Sequence, residues 1–290
     1  MACFTLAFWI ALTVFAIGPP PADASDVIGS RVQVVTLSFQ LENPGGQTLR
    51  HARFSIYGPL KLTGAEESVS IEANYPFDTE GDRFGNQILL FQFPEFQAFA
   101  TKVLTIRANI ATIATPRLLE PGLEAGEFLV PERNIEVDAP DIRIAAARLR
   151  RPTLLATARE INRWVGEHIL DSGYIAEDLG ALTALQTRRG DCTEHAYLFA
   201  ALARANGIPA RVLGGFAFEP GRTPRMIEYH NWAEFNIDGA WRVADPQKRV
   251  FDAPNDSYIG FRIVSSRVSN SLGDAHRYSA SDGLVVSEQR

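Results

Sequence analysis

Residues 189–209 read RGDCTEHAYLFAALARANGIP, and this stretch organises the second half of the chain. Its apolar middle has the boundaries of a helix, because Asp191 can cap the first turn, Glu194 suits the helix dipole, and the closing Asn-Gly-Ile-Pro stops the helix. Cys192 is therefore predicted at or next to the first helical residue. Free N–H groups and the positive end of the helix dipole favour the thiolate there, so we expect a thiol pKa below the ordinary ~8.5.

A β-hairpin is predicted downstream, where two aromatic-rich runs flank an Asp-Gly dipeptide. If this dipeptide forms the turn, position 232 lies opposite position 245. His230, Trp232 and Asp245 then share one face of the sheet, with His230 diagonal to Asp245. A carboxylate–imidazole hydrogen bond on that diagonal would leave the other ring nitrogen free to take a proton from Cys192. The pattern indicates a nucleophile, a base and an orienting acid.

Four motifs occur in a recognisable order: Gly-Asp-Cys-Thr-Glu-His, Ala-Asn-Gly-Ile-Pro-Ala-Arg-Val, His230-Asn231-Trp232 and Trp241-Arg242-Val243-Ala244-Asp245-Pro246. Together they resemble the core of the transglutaminase-like superfamily of cysteine enzymes, over approximately residues 150–250. The resemblance implies that Cys192 is the nucleophile, His230 the general base and Asp245 its orienting acid. It also implies a papain-like α+β core, in which the helix that carries the cysteine packs on an antiparallel sheet.

Other groups are weaker candidates for a role in the predicted site. The backbone N–H of Cys192 is the first candidate oxyanion donor, and Gln186, six residues upstream, is the second. Trp232 either packs in the core or walls the substrate cleft. Gly214 and Gly215, inside a predicted strand, indicate either a bulge or a close approach of substrate backbone. We expect no metal and no cofactor, because no ligand spacing and no phosphate-binding glycine loop is present.

The first 24 residues have the features of a signal peptide. Residues 4–17 form an uncharged apolar run, followed by Gly-Pro-Pro-Pro and by Ala22-Asp23-Ala24, which matches the small-residue cleavage pattern. The alternative is an uncleaved anchor, although a membrane span needs ~20 apolar residues. We therefore expect cleavage after Ala24, a periplasmic or secreted protein, and no stable membrane insertion afterwards.

Cysteine usage supports a reactive thiol. The chain has two cysteines, and Cys3 would leave with the signal peptide, so that Cys192 remains without a partner. An unpaired thiol is unusual in an oxidising compartment and suggests reactivity. The alternative is that Cys192 is a small buried hydrophobic residue.

Four segments are predicted along the chain: a signal peptide at 1–24, a small immunoglobulin-like β-sandwich at 25–115, a connector at 116–140, and a transglutaminase-like catalytic domain at 141–290. The sandwich is indicated by short strands separated by turn clusters, and the connector by its prolines and glycines. The serine- and glycine-rich end of the chain is expected to be a flexible tail. The predicted fold class is α+β.

The function expected from the residues and the resemblance is acyl transfer on peptide or carboxamide bonds through a thioester. The substrate would be a protein or peptide, and nucleic-acid binding is not expected from a net charge of −6 without a basic cluster. The resemblance to exported bacterial members favours hydrolysis by a peptidase or amidase. A protein-cross-linking transglutaminase and a non-catalytic peptide-binding module are the alternatives, and the oligomeric state is left open.

Overall fold

The computed structural model of the protein describes residues 30–63, 66–113, 124–217, 228–253, 257–273, 275 and 277–289. The predicted signal peptide at 1–24 and its cleavage site after Ala24 lie outside these residues. Within the described ranges, no helix combines the length and apolar character needed to cross a bilayer.

The described elements follow one another in a strand-rich first part, a helical middle and a second group of strands. The first strands are β1 (Ser30–Glu42), β2 (Leu49–Tyr57), β3 (Glu66–Ala73), β4 (Asp78–Gly81), β5 (Gln87–Phe96) and β6 (Thr101–Ile113). A 3₁₀ turn at Ala125–Leu129 leads to α1 (Pro140–Leu149), α2 (Leu154–His168), β7 (Leu170–Asp171), α3 (Ala181–Thr187), β8 (Arg189–Gly190) and α4 (Cys192–Ala205). The last strands are β9 (Ala210–Ala217), β10 (Tyr229–Ile237), β11 (Ala240–Asp245), β12 (Val250–Phe251), β13 (Tyr258–Val264), β14 (Tyr278–Ala280) and β15 (Val285–Glu288).

Two antiparallel four-stranded sheets form a β-sandwich. Their strand orders are β15-β1-β6-β3 and β14-β2-β5-β4. Alternate residues of β1 are buried between the sheets, at Val35, Leu37, Phe39 and Leu41, because successive side chains of a strand point to opposite faces. The predicted sandwich architecture is confirmed.

The end of the chain belongs to this sandwich, which corrects two expectations. The segment expected to be a flexible tail, and assigned to the catalytic domain at 141–290, contains β14 and β15, which pair with β2 and β1. The reason is apolar patterning, since Leu284 is buried in the sandwich core and Val286 packs against that core.

A second, five-stranded antiparallel sheet has the order β12-β11-β10-β9-β13. Helix α4 packs on one face of it and is buried on nearly every side, as expected for a helix that is apolar all round. Val212, Ala233 and Phe235 of the sheet share a core with α4 and with the inner faces of α1, α2 and α3. A cysteine-bearing helix therefore lies on an antiparallel sheet, as predicted.

The β10–β11 hairpin has the register that the Asp-Gly dipeptide predicts. Ile237 pairs with Ala240, and the pairing continues to Ala233 and Ala244. Asp238 and Gly239 both have positive φ angles, 55° and 81°, as a two-residue turn of this kind requires.

The paired glycines of β9 lie where neighbouring groups leave no room for a side chain. A side chain on Gly214 would collide with the hydroxyl of Tyr229, and one on Gly215 would collide with the backbone oxygen of Ile259. Pairing between β9 and β10 runs without interruption through both positions, whereas the pairing of β9 with β13 shifts register opposite them, between Gly260 and Arg262. An irregularity is therefore present at these glycines, as expected, although its extra residue belongs to β13. Neighbouring groups occupy the space expected for substrate.

Candidate active site

Cys192 is the first residue of α4, and a capping box fixes its position. Asp191 Oδ1 accepts a hydrogen bond from the Thr193 N–H at 2.7 Å, and Glu194 Oε2 accepts one from the Asp191 N–H at 3.1 Å. These bonds satisfy backbone donors that a helix start would otherwise leave open. The half-buried thiol is thus held on a rigid turn, as the sequence predicts.

The loop before α3 is tied to the same end of α4. Asp191 Oδ2 accepts from the Ile175 N–H at 2.9 Å, and Glu194 Oε1 accepts from the Leu179 N–H at 2.9 Å. Burial raises the pKa of Glu194 to about 7, although these backbone hydrogen bonds oppose the shift. Glu194 therefore anchors the loop and the helix start together.

His230 and Asp245 meet across the β10–β11 hairpin. Their atoms Nε2 and Oδ2 are 2.7 Å apart, and both side chains are buried. An ionised carboxylate can only accept hydrogen bonds, so Nε2 donates the proton of this hydrogen bond, and Nδ1 is the ring nitrogen that it leaves available. The diagonal pair expected from the hairpin is present, and the structure shows which ring nitrogen remains available as a base.

Two further donors complete the surroundings of Asp245. The Tyr258 hydroxyl donates to Oδ2 at 3.0 Å, and the Lys248 backbone N–H donates to Oδ1 at 3.1 Å. Burial favours the neutral acid, but the hydrogen bond and charge of His230, with these two donors, hold the pKa of Asp245 below its usual range. Asp245 is therefore an ionised partner of the imidazole.

Asn231 connects Cys192 to the strand that carries His230. Its backbone N–H donates to the Cys192 thiol, and its side-chain Nδ2 donates to Thr193 Oγ1 at 2.9 Å. The sulfur therefore lies against β10, one residue along the chain from His230. No hydrogen bond joins the thiol to the imidazole in the described ranges, and such bonds commonly tighten only when substrate binds.

The thiol pKa differs from the sequence-based expectation. Burial raises it to about 11, because desolvation and the charges of Asp191 and Asp245 outweigh hydrogen bonds from Asn231 and Thr193. The expectation of a lowered pKa considered the helix end and omitted burial. Cys192 is therefore a neutral thiol at pH 7, and it needs a base in contact to become a nucleophile.

Comparison with known proteins supports this reading of the fold. Residues 145–246, which include Cys192, His230 and Asp245, match the family model of the transglutaminase-like superfamily. The chain carries a transglutaminase-like core. A search of curated proteins finds no match to the sequence.

One solved structure has a similar fold over most of the chain. A candidate cysteine protease from Cytophaga hutchinsonii has a TM-score of 0.59 and 17% identity, and the match covers 90% of each chain. This likeness shows a common fold. The ethylmercury-bound periplasmic domain of TgpA from Pseudomonas aeruginosa matches with a TM-score of 0.42 and 17% identity, over 74% of this chain and 90% of that chain. Red sea bream transglutaminase matches with a TM-score of 0.30 and 12% identity, over 78% of this chain and 50% of that chain.

Gln186 and Trp232 do not have the positions expected of an oxyanion donor and a cleft wall. Gln186 is exposed on α3, and its Nε2 donates to Asp141 Oδ2 on α1 at 2.9 Å, so its contacts do not support the oxyanion role. Trp232 is only 1% exposed, which corrects its interpretation as a cleft wall. Its ring packs on that of Tyr258, with centroids 5.1 Å apart, and the Tyr258 hydroxyl donates to Asp245.

Asn231 and Tyr258 are the contributors that sequence reasoning missed. Asn231 lies between the predicted base and Trp232, and the motif contained no signal for a contact with the thiol. Tyr258 approaches Asp245 from β13, which is separated from β11 by two strands of the sheet. Turn and alternation signals describe strands that are adjacent in sequence, so they do not place this hydroxyl.

Proposed function

We propose that the chain is an exported cysteine-dependent enzyme that cleaves peptide or carboxamide bonds through a thioester intermediate. The observation that carries the proposal is the coupling of Cys192 on α4 to His230 on β10 and Asp245 on β11. Asn231 donates to the thiol of Cys192, while the adjacent residue of the same strand, His230, donates to a buried ionised Asp245. This arrangement supports a nucleophile, a base and an orienting acid.

The first half of the reaction forms the thioester. His230 Nδ1 takes the proton of the Cys192 thiol as the sulfur attacks the carbonyl carbon of the substrate, and a tetrahedral oxyanion forms. The same Nδ1 then returns the proton to the leaving amine as the C–N bond breaks. Because the thiol pKa is about 11, the thiolate forms at the moment of attack and is not stored beforehand.

The second half releases the acyl group. Water gives up a proton to His230 Nδ1 and attacks the thioester carbonyl, and the C–S bond breaks as the sulfur regains a proton. The backbone N–H of Cys192 lies in the first turn of α4, where N–H groups have no intrahelical acceptor, and it remains the proposed oxyanion donor. Asp245 stays ionised throughout and stabilises the imidazolium.

Hydrolysis is the preferred outcome for a protein or peptide substrate. Transfer to a second amine would use the same groups, so a cross-linking transglutaminase is the alternative enzyme. The description of the Cytophaga hutchinsonii neighbour as a candidate cysteine protease accords with hydrolysis. Export is proposed from the apolar leader and its Ala-Asp-Ala cleavage pattern, which predict a periplasmic or secreted enzyme.

A casein assay with a labelled primary amine tests the proposal. The protein lacking residues 1–24 should release casein fragments without incorporating label. Cys192→Ala and His230→Ala should abolish fragment release, whereas His168→Ala, which alters an exposed histidine on α2, should leave it unchanged.

The other outcomes identify the alternatives. Label incorporated into casein without fragments would assign a transglutaminase. Equal fragment release by the wild-type and Cys192→Ala proteins would reveal a contaminating protease and would overturn the proposal. Retention of casein on the immobilised protein, with neither fragments nor label, would assign a non-catalytic peptide-binding module.

A further inference from the structure

Asp245 Oδ2 receives two hydrogen bonds, and only one of them belongs to the predicted triad. His230 Nε2 lies 2.7 Å from this oxygen and the Tyr258 hydroxyl lies 3.0 Å from it. The other oxygen, Oδ1, accepts from the Lys248 backbone N–H. Both carboxylate oxygens are thus engaged, and rotation of the carboxylate would break contacts on both sides.

The position of the Tyr258 hydroxyl is set by packing. Tyr258 is 7% exposed, and its ring lies against Trp232, which is itself buried on the His230 face of β10. The residue comes from β13, whereas Asp245 and His230 belong to the β10–β11 hairpin. A hydroxyl held by a separate strand can therefore fix the carboxylate independently of the hairpin.

We infer that Tyr258 is a positioning residue of this site, whose hydroxyl keeps Asp245 Oδ2 ionised and directed at His230 Nε2. The inference rests on the proposed function and deepens it by adding a fourth side chain. Tyr258 has no contact with the reacting atoms among the described interactions, and it acts through Asp245 alone. A buried carboxylate that loses a donor becomes easier to protonate.

The charged and titratable surroundings of Asp245 are few in the described ranges. They comprise His230 on β10, Tyr258 on β13, Cys192 on α4 and Lys248 in the following turn. Lys248 contributes its backbone N–H, and its Nζ lies 3.4 Å from the Ala217 carbonyl oxygen. Among these neighbours, Tyr258 is the side chain whose hydrogen bond can be removed without altering the nucleophile or the base.

The kinetic test is Tyr258→Phe, which removes one oxygen and keeps the ring. We expect kcat on a peptide substrate to fall about tenfold with KM nearly unchanged, as for loss of a hydrogen bond to a charged group. The acid limb of the kcat/KM profile should move to higher pH, because Asp245 would take up a proton more readily. Tyr278→Phe, in the sandwich, is the matched control and should change neither quantity.

A double-mutant cycle tests whether Tyr258 acts through Asp245. In an Asp245→Asn background, Tyr258→Phe should cause less than about a twofold further loss, because the interaction is already broken. A full tenfold loss in that background, or an unmoved acid limb in the single variant, would overturn the inference. Melting temperatures of all variants would show whether a loss reflects unfolding.

A spectroscopic measurement separates this inference from the proposed reaction. Proton NMR of the ¹⁵N-histidine-labelled protein reports the His230 Nε2–H that bonds to Asp245, without any substrate. Tyr258→Phe should shift this resonance and Tyr278→Phe should not. An inactive wild-type protein would contradict the proposed function, whereas an unshifted resonance in folded Tyr258→Phe would contradict the inference.

Discussion

His230 Nε2 and Asp245 Oδ2 lie 2.7 Å apart on neighbouring strands of one hairpin. The hydrogen bond assigns the proton to Nε2 and leaves Nδ1 available for the proposed role of general base. Since the following residue, Asn231, donates its backbone N–H to the Cys192 thiol, the hairpin orients the imidazole and also holds the thiol against the same strand. The short hairpin thus positions both the thiol and the imidazole of the proposed proton transfer.

Replacing Asp245 by asparagine should reduce kcat by about 10³-fold to 10⁴-fold, because an amide NH₂ facing His230 favours the wrong tautomer. Peptide hydrolysis followed at saturating substrate measures the effect, and circular dichroism confirms that the variant is folded. Activity within tenfold of wild type would contradict an orienting role for this carboxylate.

Replacing Asn231 by alanine should lower kcat between about tenfold and 100-fold, because its side chain no longer ties β10 to Thr193 beside the thiol. The free energy of unfolding should fall by about 1 kcal/mol for the lost hydrogen bond. Asn236→Ala, five residues further along β10, is the control and should retain full activity. Equal losses in both variants would point to a general weakening of the strand.

Alkylation of Cys192 by iodoacetamide should accelerate continuously toward alkaline pH, since burial raises the thiol pKa to about 11. Asp191→Asn keeps a good N-cap residue but removes a negative charge that raises this pKa, so its rate curve should move to lower pH. Mass spectrometry of the modified protein gives the rates. A wild-type curve that levels off near neutral pH would instead indicate a stored thiolate–imidazolium pair.

Glu194 should make stability depend on pH. Its folded-state pKa of about 7 exceeds the ordinary 4.5, so the folded state binds a proton more tightly than the unfolded state. The resulting increase in the free energy of unfolding is fully present below about pH 4.5 and is lost as the pH rises through about 7. Glu194→Gln should be less stable than wild type at acidic pH and should lack this decline.

Urea unfolding of both proteins across that pH interval tests the prediction. Glu167→Gln, on the exposed side of α2, is the control that should preserve the wild-type slope. Parallel curves for wild type and Glu194→Gln would show that Glu194 has no part in the pH dependence.

Deleting residues 277–290 should destabilise the sandwich, because it removes β14, β15 and the buried Leu284. The loss should reach at least about 3 kcal/mol, given the apolar side chains that return to water. Chemical denaturation measures it against a control lacking only residues 289 and 290. Identical unfolding curves would support the flexible tail that composition suggested.

Much of the site follows from local patterns in the chain. The Asp-Gly turn sets the register that makes His230 diagonal to Asp245, and Asp191 with Glu194 marks the helix start at Cys192. Such features are predictable because caps, two-residue turns and strand alternation depend on residues that are close in sequence.

Other features depend on which distant segments become neighbours. The raised thiol pKa results from burial, Tyr258 reaches Asp245 from a strand that is not adjacent to β11, and Gln186 turns to Asp141. The last strands join a sandwich built from the beginning of the chain. Desolvation and long-range strand pairing arise only when the whole chain packs. The sequence therefore determines where the reactive groups lie on their helix and hairpin, and the tertiary packing determines their ionisation and their supporting contacts.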